Sequence, residues 1–201
     1  MKVSIIIATY GDDFWRQLAL KRSYSSAINQ GAHEIIVGHD EEGTVASVRN
    51  ELAEKAEGDW LCFLDGDDEL APGYLDAMQR AFEQVSLGGS LLLAPAVSYV
   101  SMRGKVEPAK FWGECSLTTG NWLVIGTLVE REMFFKVGGF EEWPIYEDWA
   151  LWARCWTAGA VPVKVPEAVY RAHRKPGSRN HSLPRKEVLR VYEEMKAALF
   201  P

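Results

Sequence analysis

Short apolar runs alternate with amphipathic stretches along the first half of the chain. The apolar runs, which predict buried strands, lie at residues 3–8, 34–38 and 60–64. The amphipathic stretches, which predict helices, lie at residues 14–29, at residues 44–57 and from Pro72 to residue 84. This order of strand and helix predicts an α/β domain with a parallel, doubly wound sheet and right-handed crossovers.

The pattern is less regular in the second half. Strands are predicted at residues 90–100, 161–165 and 168–170, and a hairpin is predicted to turn at residues 103–104. Helices are predicted at residues 130–136, 147–158 and 184–199, and a basic loop at residues 171–183. On the middle helix, Trp149, Trp152 and Trp156 recur at helical spacing, which predicts that they pack in the core.

Composition indicates one domain and limits its partners. The chain has 201 residues, of which 47% are hydrophobic, and this is enough for a single core. Its net charge is −6. Nucleic acid is therefore not expected as the main partner, because the chain offers no basic stripe to displace counterions.

The cysteines and the amino terminus bear on the compartment. Three cysteines show no ligand or disulfide spacing, and Cys62 and Cys155 lie in apolar contexts that predict buried, reduced thiols. The amino terminus lacks the pattern of a signal peptide, and no apolar run is long enough for a membrane span. We therefore expect a cytoplasmic protein without an integral membrane segment.

An acidic turn directly follows the third apolar run. Asp65, Asp67 and Asp68 place three carboxylates within four residues, where they repel one another unless a cation compensates. Mg²⁺ and Mn²⁺ prefer carboxylate oxygens, and Gly66 would let a phosphate ligand approach the backbone closely. These residues fit a metal–phosphate site, and they fit a solvated acidic turn equally well.

Two further polar turns end predicted strands, at residues 9–13 and 39–40. In an open α/β sheet, ligands bind at the carboxyl ends of the strands. All three polar turns fall at that edge, so together they favour a nucleotide site more strongly than any one of them does.

Four segments occur in one order along the chain: VSIIIATY at residues 3–10, RN at 49–50 followed by FLDGDDEL at 63–70, GGFEEWPIYEDW at 138–149, and YRAHRKPGS at 170–178. In this combination the chain resembles the family 2 glycosyltransferases of the GT-A fold, over nearly its whole length. The resemblance implies an inverting transferase that uses a nucleotide-diphosphate sugar and a divalent metal, Mn²⁺ or Mg²⁺. UDP is expected as the nucleotide, ahead of GDP or dTDP, because it is the commonest donor carrier in the family.

The resemblance also implies a domain layout. It predicts a Rossmann-like, doubly wound, mostly parallel central sheet with an acceptor-side second half. Residues 1–100 form the nucleotide-sugar-binding half, residues 101–183 the acceptor and catalytic half, and residues 184–201 a C-terminal helix. The acceptor is a saccharide, a lipid-linked sugar or a protein side chain.

Matching the motifs residue by residue implies roles at the donor site. Thr9 and Tyr10 resemble the turn that holds the base and ribose, and Asp40 resembles the acid that hydrogen-bonds the base. Arg49 and Asn50 resemble a pair near the base and phosphates. Residues in the basic loop resemble groups that bind the diphosphate; these are Arg171 and Arg174.

The same match implies a metal site and a catalytic base. Asp65 and Asp67 correspond to the DxD motif, in which Asp67 ligates the metal and Asp65 contacts ribose or the metal through water. His173 resembles a third metal ligand, and Asp148 resembles the catalytic base. The basic loop, with Lys175 and Gly177, suits a lid over phosphates, and it also fits a solvated surface segment.

The chain departs from the family pattern in two places. The family has two acids followed by Gly-Ser after the second strand, where this chain has His39, Asp40, Glu41 and Glu42. This leaves the choice of nucleotide open. Ala8 stands where proline is usual.

Asp148 lies at the predicted start of a helix. The positive helix end and nearby amides are expected to keep its carboxyl ionised at pH 7, so that it accepts a proton. The same position also suits a simple helix cap. Three tryptophans in the irregular second half are candidates either for acceptor binding or for core packing; they are Trp112, Trp122 and Trp143.

Other functional classes share parts of this pattern. A haloacid-dehalogenase-like phosphatase also has Asp-x-Asp after a strand, but normally on the first strand, with Thr or Val next. A nucleotidyltransferase needs a Gly-rich phosphate loop, which residues 8–13 do not provide. A non-catalytic nucleotide-sugar-binding module would keep Asp67 without using Asp148.

Overall fold

Strands and helices alternate along the chain, and we number them in chain order. The computed structural model describes residues 1–85, 88–111, 116–175 and 183–200. The first half contains β1 (Val3–Tyr10), α1 (Asp13–Lys21), α2 (Ser23–Ala27), β2 (Glu34–Asp40), α3 (Val45–Lys55), β3 (Trp60–Asp65), β4 (Glu69–Leu70) and α4 (Tyr74–Gln84). The second half contains β5 (Leu91–Val100), β6 (Leu128–Glu130), α5 (Arg131–Lys136), α6 (Glu147–Thr157), β7 (Val161–His173) and α7 (Arg185–Leu199).

The strands of these described ranges form one seven-stranded sheet in the order β2-β1-β3-β6-β5-β7-β4. β1 pairs in parallel with β2 and β3, and β5 pairs in parallel with β7. The three-residue β6 lies antiparallel between β3 and β5, and the two-residue β4 is antiparallel to β7. The predicted α/β class and mostly parallel sheet are confirmed, because the long strands pair in parallel.

The core lies on both faces of the central strands. Ile5, Ile6 and Ile7 of β1 are fully buried, as are Leu61 and its neighbours in β3. Side chains of consecutive residues point to opposite faces of a sheet, so such runs require cover on both sides. A β1 or β3 with alternating polar residues would not fit this layered arrangement.

The two cysteines expected to be buried and reduced are confirmed as such. Cys62 and Cys155 are free and buried. Burial raises the pKa of each thiol to about 12, so both stay protonated at neutral pH. Cys115 lies outside the described residues.

The helix predicted over residues 14–29 is wrong as a single element. It is divided at Arg22, whose backbone φ and ψ of −112° and −73° separate α1 from α2. The Arg22 guanidinium donates to the Asp67 carbonyl at 2.8 Å, and the Ser23 hydroxyl donates to the Asp65 carbonyl at 2.8 Å. The break therefore directs two side chains to the backbone of the acidic turn.

Two other expectations are corrected in the second half. The strands predicted at residues 161–165 and 168–170 form one strand, β7, which continues to His173 because it follows β5 past an irregularity in register. Trp149 and Trp152 are buried, but Trp156 is 40% exposed. Trp156 is the last residue but one of α6, where its ring contacts only the Phe200 ring at 6.4 Å among the described aromatic side chains.

The three polar turns meet at one edge of the sheet, as predicted. Thr9 lies opposite His39 in the β1–β2 register, and Ala8 lies opposite Asp65 in the β1–β3 register. Parallel strands in register bring their carboxyl ends together, so this edge collects the candidate site residues. Among the described helices, none has the length and apolar character needed to cross a lipid bilayer.

Candidate active site

The acidic turn after β3 gathers three carboxylates. Asp65, Asp67 and Asp68 each offer an oxygen atom, and these atoms lie within 4.8 Å of one another. A Cβ placed on Gly66 would lie 2.6 Å from the Thr9 methyl carbon and 3.2 Å from the Ala19 Cβ. Close packing of the turn against β1 and α1 thus requires glycine at position 66, and the ligand approach expected from the sequence stays a prediction.

Each carboxylate of the turn has a partner. Asp65 accepts from the Arg49 guanidinium, and Asp67 forms an ion pair with the Lys175 ammonium. Asp68 accepts from the Tyr170 hydroxyl at 2.9 Å and from the His173 backbone N–H at 2.8 Å. The turn is therefore tied to the preceding helix α3 and, more than 100 residues further along the chain, to β7 and to Lys175 just beyond it.

Asp68 is a member of the cluster to which the motif match gave no role. It is buried, and burial together with the charges of Asp65 and Asp67 raises its pKa well above the ordinary value. Its place as the third carboxylate of the turn was visible in the sequence. The family pattern directed attention to the first and third residues of the motif instead.

The donor set of the cluster fits a hard divalent cation. Three carboxylate oxygens at one turn are the ligand type that Mg²⁺ and Mn²⁺ prefer. The His173 ring is not part of the cluster among the described residues; its Nε2 lies 2.6 Å from Glu69 Oε2. Metal ligation by His173 stays a prediction, and it would require this contact to break.

Arg49 connects the acidic turn to α6. It is only 3% exposed, and its guanidinium donates to Asp65 and, at 2.9 Å, to Glu147 Oε1. Its guanidinium carbon also lies 4.9 Å from the centre of the Phe140 ring. Burial alone would lower the pKa of this guanidinium, but the charges of Asp65 and Glu147 outweigh burial and raise it, so Arg49 stays charged.

Glu147 is a buried residue of the site that the motif match missed. It is 3% exposed and immediately precedes Asp148 at the start of α6. No signal in the sequence indicated its burial, because an acidic residue in the first turn of a helix is common on the surface.

Asn50 hydrogen-bonds to the backbone of Phe140, in the segment that precedes α6. Its side-chain amide donates to the Phe140 carbonyl at 2.9 Å and accepts from the Phe140 N–H at 2.8 Å. A Cβ on Gly139, which has a φ of +69°, would lie 2.6 Å from the Asn50 side-chain oxygen. The structure thus uses the polar atoms of Asn50 within the protein.

Asp148 lies one residue inside α6 and does not cap it. The N-cap residue is Tyr146, which has a φ of +68° and makes no side-chain cap hydrogen bond. Asp148 Oδ1 accepts from the Trp149 N–H at 2.8 Å, and Oδ2 accepts from the Asn121 amide at 3.1 Å. Tyr146 holds a left-handed conformation that costs free energy for a bulky residue, directly before the two acids of α6.

The sequence predicted a carboxyl at Asp148 that is ionised at pH 7, but its pKa is raised rather than lowered. Burial first, and then the charge of Glu147, raise the pKa of Asp148 to about 7, although the Trp149 N–H and the charge of Arg49 favour ionisation. The helix N-terminus therefore does not dominate. A carboxyl with a pKa near neutrality is well matched to accepting and returning a proton.

This raised pKa predicts a pH dependence of stability. Between the ordinary value of 3.8 and about 7, the folded protein keeps a proton on Asp148 that the unfolded chain has lost. Stability from this group is present at low pH and is lost as the pH rises through that window. Urea unfolding should therefore show Asp148→Asn gaining stability relative to wild type between about pH 5 and about pH 8. If the difference in unfolding free energy between Asp148→Asn and wild type were the same at about pH 5 and about pH 8, the raised pKa would be contradicted.

Residues of the nucleotide-side turns have distinct environments. The buried Thr9 hydroxyl donates to the Gly38 carbonyl at 3.2 Å, and the Asp40 carboxylate accepts from the Glu42 N–H at 3.0 Å. Tyr10 is 38% exposed and lines a cavity of about 330 Å³ together with Trp143. Of these side chains, Tyr10 is the one that offers a free aromatic surface.

The basic residues at the end of β7 do not all face the acidic turn. Arg174 pairs with Glu107 at 2.8 Å and lies over the Tyr99 ring at 4.6 Å. Arg171 lies opposite Glu69 in the β4–β7 register. Gly177 lies outside the described residues, as does Trp112, while Trp122 is half-buried beside Lys164 at 5.4 Å.

Part of the chain matches a known protein family. Residues 24–103 match the family model described as glycosyl transferase family 2. This segment includes α3 and the acidic turn, so the resemblance indicated by the sequence motifs is confirmed there. A comparison with curated protein sequences gives no match.

Solved structures with the same fold include glycosyltransferases. The structure of residues 1–349 of S. aureus TarS in complex with UDP-GlcNAc is similar with a TM-score of 0.67 and 16% identity, over 97% of this chain and 65% of that one. GalNAc-T7 with UDP, GalNAc and Mn²⁺ is similar with a TM-score of 0.62 and 16% identity, over 96% of this chain and 48% of that one. The GT-A fold is confirmed, and the chain spans less than two thirds of either structure.

Proposed function

We propose that this protein is an inverting glycosyltransferase that moves a sugar from a nucleotide-diphosphate donor to an acceptor hydroxyl. The observation that carries the proposal is the ion-paired connection from Asp65 through Arg49 to Glu147, beside Asp148. This connection joins a turn with three clustered carboxylates to a carboxyl of near-neutral pKa. Transfer needs both groups, one for the leaving diphosphate and one for the acceptor proton.

The donor is proposed to be a UDP-sugar. TarS is known in complex with UDP-GlcNAc and GalNAc-T7 with UDP, and both share the fold of this chain. In our proposal, the base stacks on the exposed ring of Tyr10 in the cavity that Trp143 also lines. Thr9 and Asp40 would act mainly by fixing the two turns around that cavity, because their polar atoms are already engaged.

Three carboxylates are proposed to hold a divalent metal, Mn²⁺ or Mg²⁺, namely Asp67 with Asp65 and Asp68. When bound, the metal would neutralise the negative charge that develops on the diphosphate. Arg171 is a further candidate for contact with the diphosphate, from the end of β7. Arg49 is proposed to act mainly by holding protein carboxylates with both arms of its guanidinium, and its place near the base and phosphates stays a prediction.

Asp148 is proposed to be the catalytic base. It takes the proton of the acceptor hydroxyl as that oxygen bonds to the anomeric carbon and the carbon–oxygen bond to the diphosphate breaks. Attack from the face opposite the leaving group inverts the configuration. Asn121 holds Asp148 Oδ2 and itself accepts from the Leu123 N–H at 3.0 Å, so the orientation of the carboxyl is fixed from both sides.

The competing classes explain fewer of these features. A phosphatase of the haloacid-dehalogenase type uses its own aspartate as nucleophile on the first strand, whereas the acidic turn here follows β3 and its Asp65 is held by Arg49. A binding module has no use for a carboxyl such as Asp148, held by two hydrogen bonds at a raised pKa.

Nucleotide binding measured by calorimetry tests the donor site. UDP, GDP and dTDP are titrated into the protein with Mn²⁺ and, separately, with EDTA. We expect UDP to bind only with metal, and Asp67→Ala to lose most of that metal-dependent binding because the carboxylate no longer ligates the cation. The matched control is Asp76→Ala on the exposed side of α4, which should bind as wild type does.

Two results would overturn the proposal. One is the absence of binding for all three nucleotides in the presence of Mn²⁺. The other is metal-dependent UDP binding that survives unchanged in Asp67→Ala, because this would place the metal elsewhere.

A further inference from the structure

Lys175 occupies a special place among the cations around the acidic turn. Its ammonium lies 2.5 Å from Asp67 Oδ2, and the Asp67 side chain is only 16% exposed. The same ammonium lies 4.1 Å from the centre of the Trp15 ring on α1. Lys175 is thus held between a carboxylate and an aromatic face, at the carboxylate proposed to ligate the metal.

The partners of the three carboxylates differ in how readily they leave. Arg49 is fixed on Asp65 because it is buried and holds Glu147 at the same time. Asp68 is bonded by Tyr170, which is buried, and by the backbone of β7. Lys175 alone among these described partners has a flexible side chain with substantial exposure, 35%. A cation that enters the cluster therefore meets least resistance at Asp67.

We propose that Lys175 is an exchangeable internal cation of the donor site. It neutralises Asp67 until a divalent metal takes its place on that carboxylate, and its released ammonium then binds the donor diphosphate. The inference rests on the proposed function and adds to it an order of events at one residue. The exchange involves ion pairs only, and no covalent bond is made or broken.

Charge balance supports the exchange. Two of the three carboxylates at the turn are paired with cations, Asp65 with Arg49 and Asp67 with Lys175, and the Arg22 guanidinium donates to the Asp67 carbonyl. A divalent ion arriving beside Lys175 would be repelled unless the ammonium withdraws. Once the diphosphate follows, its negative charge offers the ammonium a charge-assisted hydrogen bond close to its first position.

This exchange predicts opposite effects of one substitution on two ligands. In Lys175→Met, Mn²⁺ alone is expected to bind about threefold to tenfold more tightly, since it no longer competes with an ion pair and a cation–π contact. In the same variant, UDP is expected to bind about threefold to tenfold more weakly at saturating Mn²⁺, since one phosphate partner is missing. Calorimetric titrations of Mn²⁺ alone and of UDP with Mn²⁺ measure both values.

Two control variants separate exchange from a general effect of charge. Arg16→Met removes a positive charge beside Trp15 from a residue that pairs with Asp13, and it should leave both affinities within about twofold of wild type. Lys175→Arg keeps the charge and should restore most of the wild-type behaviour.

Fluorescence offers a readout that does not depend on activity. Mg²⁺, which does not quench by paramagnetism, should change the emission of the wild-type protein as the ammonium leaves the Trp15 ring. The change should be absent in Lys175→Met and in Trp15→Phe.

The outcomes distinguish this inference from the proposed function. In one outcome, the wild-type protein binds Mn²⁺ and UDP, but Lys175→Met binds both ligands with the affinity of the wild type or of Arg16→Met. This outcome would overturn the exchange and leave the donor site intact. Wild-type protein that binds neither ligand would overturn the donor site and the exchange with it.

Discussion

Asp148→Asn is expected to lower the release of UDP from a UDP-sugar by about 10²- to 10⁴-fold, the range typical for loss of a general base. The amide has almost the same shape but accepts no proton. Water or a saccharide serves as acceptor in the assay, so the natural acceptor need not be known. Metal-dependent binding of UDP, measured by calorimetry, should remain, because Asp148 is not part of the acidic turn.

The pH profile gives the same prediction a second readout. The base works only after losing its proton, so kcat/KM for the donor should rise with pH and level off above the Asp148 pKa of about 7. In Asp148→Asn, the residual rate should lose this rise. Asp13→Asn is the matched control, since it makes the same change in the first turn of the exposed helix α1. Wild-type turnover in Asp148→Asn would remove Asp148 from the mechanism.

Arg49→Met is expected to destabilise the protein by about 3–5 kcal/mol, because it leaves the buried Glu147 carboxylate and the partly exposed Asp65 carboxylate without their counterion. The methionine fills much of the volume of the arginine stem, so the loss of charge dominates. Urea unfolding measures the free energy. Arg190→Met is the control, since Arg190 makes only exposed ion pairs on α7 and should change stability by less than about 1 kcal/mol.

A double variant separates charge from packing. Adding Glu147→Gln to Arg49→Met removes one of the two orphaned charges, so part of the lost stability should return. The free energy regained measures how much Arg49 contributes by neutralising Glu147, which is 3% exposed. If the double variant were less stable than Arg49→Met alone, the neutralising role of Arg49 would be contradicted.

Local pattern predicted most of the elements correctly. The apolar runs that became β1 and β3 are buried on both faces, and such runs have few alternatives to a central strand. The break at Arg22 was not predicted, and the residue there donates a hydrogen bond to the Asp67 carbonyl, 45 residues away. Helical periodicity carries no information about contacts of that range.

For the candidate site too, local features were predicted from the sequence and long-range contacts were not. The acidic turn was predicted from three carboxylates in four residues, and its place at the sheet edge was predicted from the order of the strands. The contacts of Arg49 and Asn50 could not be predicted from the sequence, because their partners Glu147 and Phe140 lie 98 and 90 residues further along the chain. The ionisation of Asp148 was misjudged for a related reason, since desolvation by the folded protein outweighs the helix end that the sequence displays.

The position of β6 has a consequence for how the chain can be divided. This three-residue strand comes from the second half, yet it lies between β3 and β5 and carries all the pairing that joins the two parallel parts of the sheet among the described residues. A fragment ending after β5 would lack β6, the strand that pairs with both β3 and β5. The two halves of the chain are therefore interlocked rather than modular, and exchange of the second half between related chains must carry β6 with a partner strand that matches it.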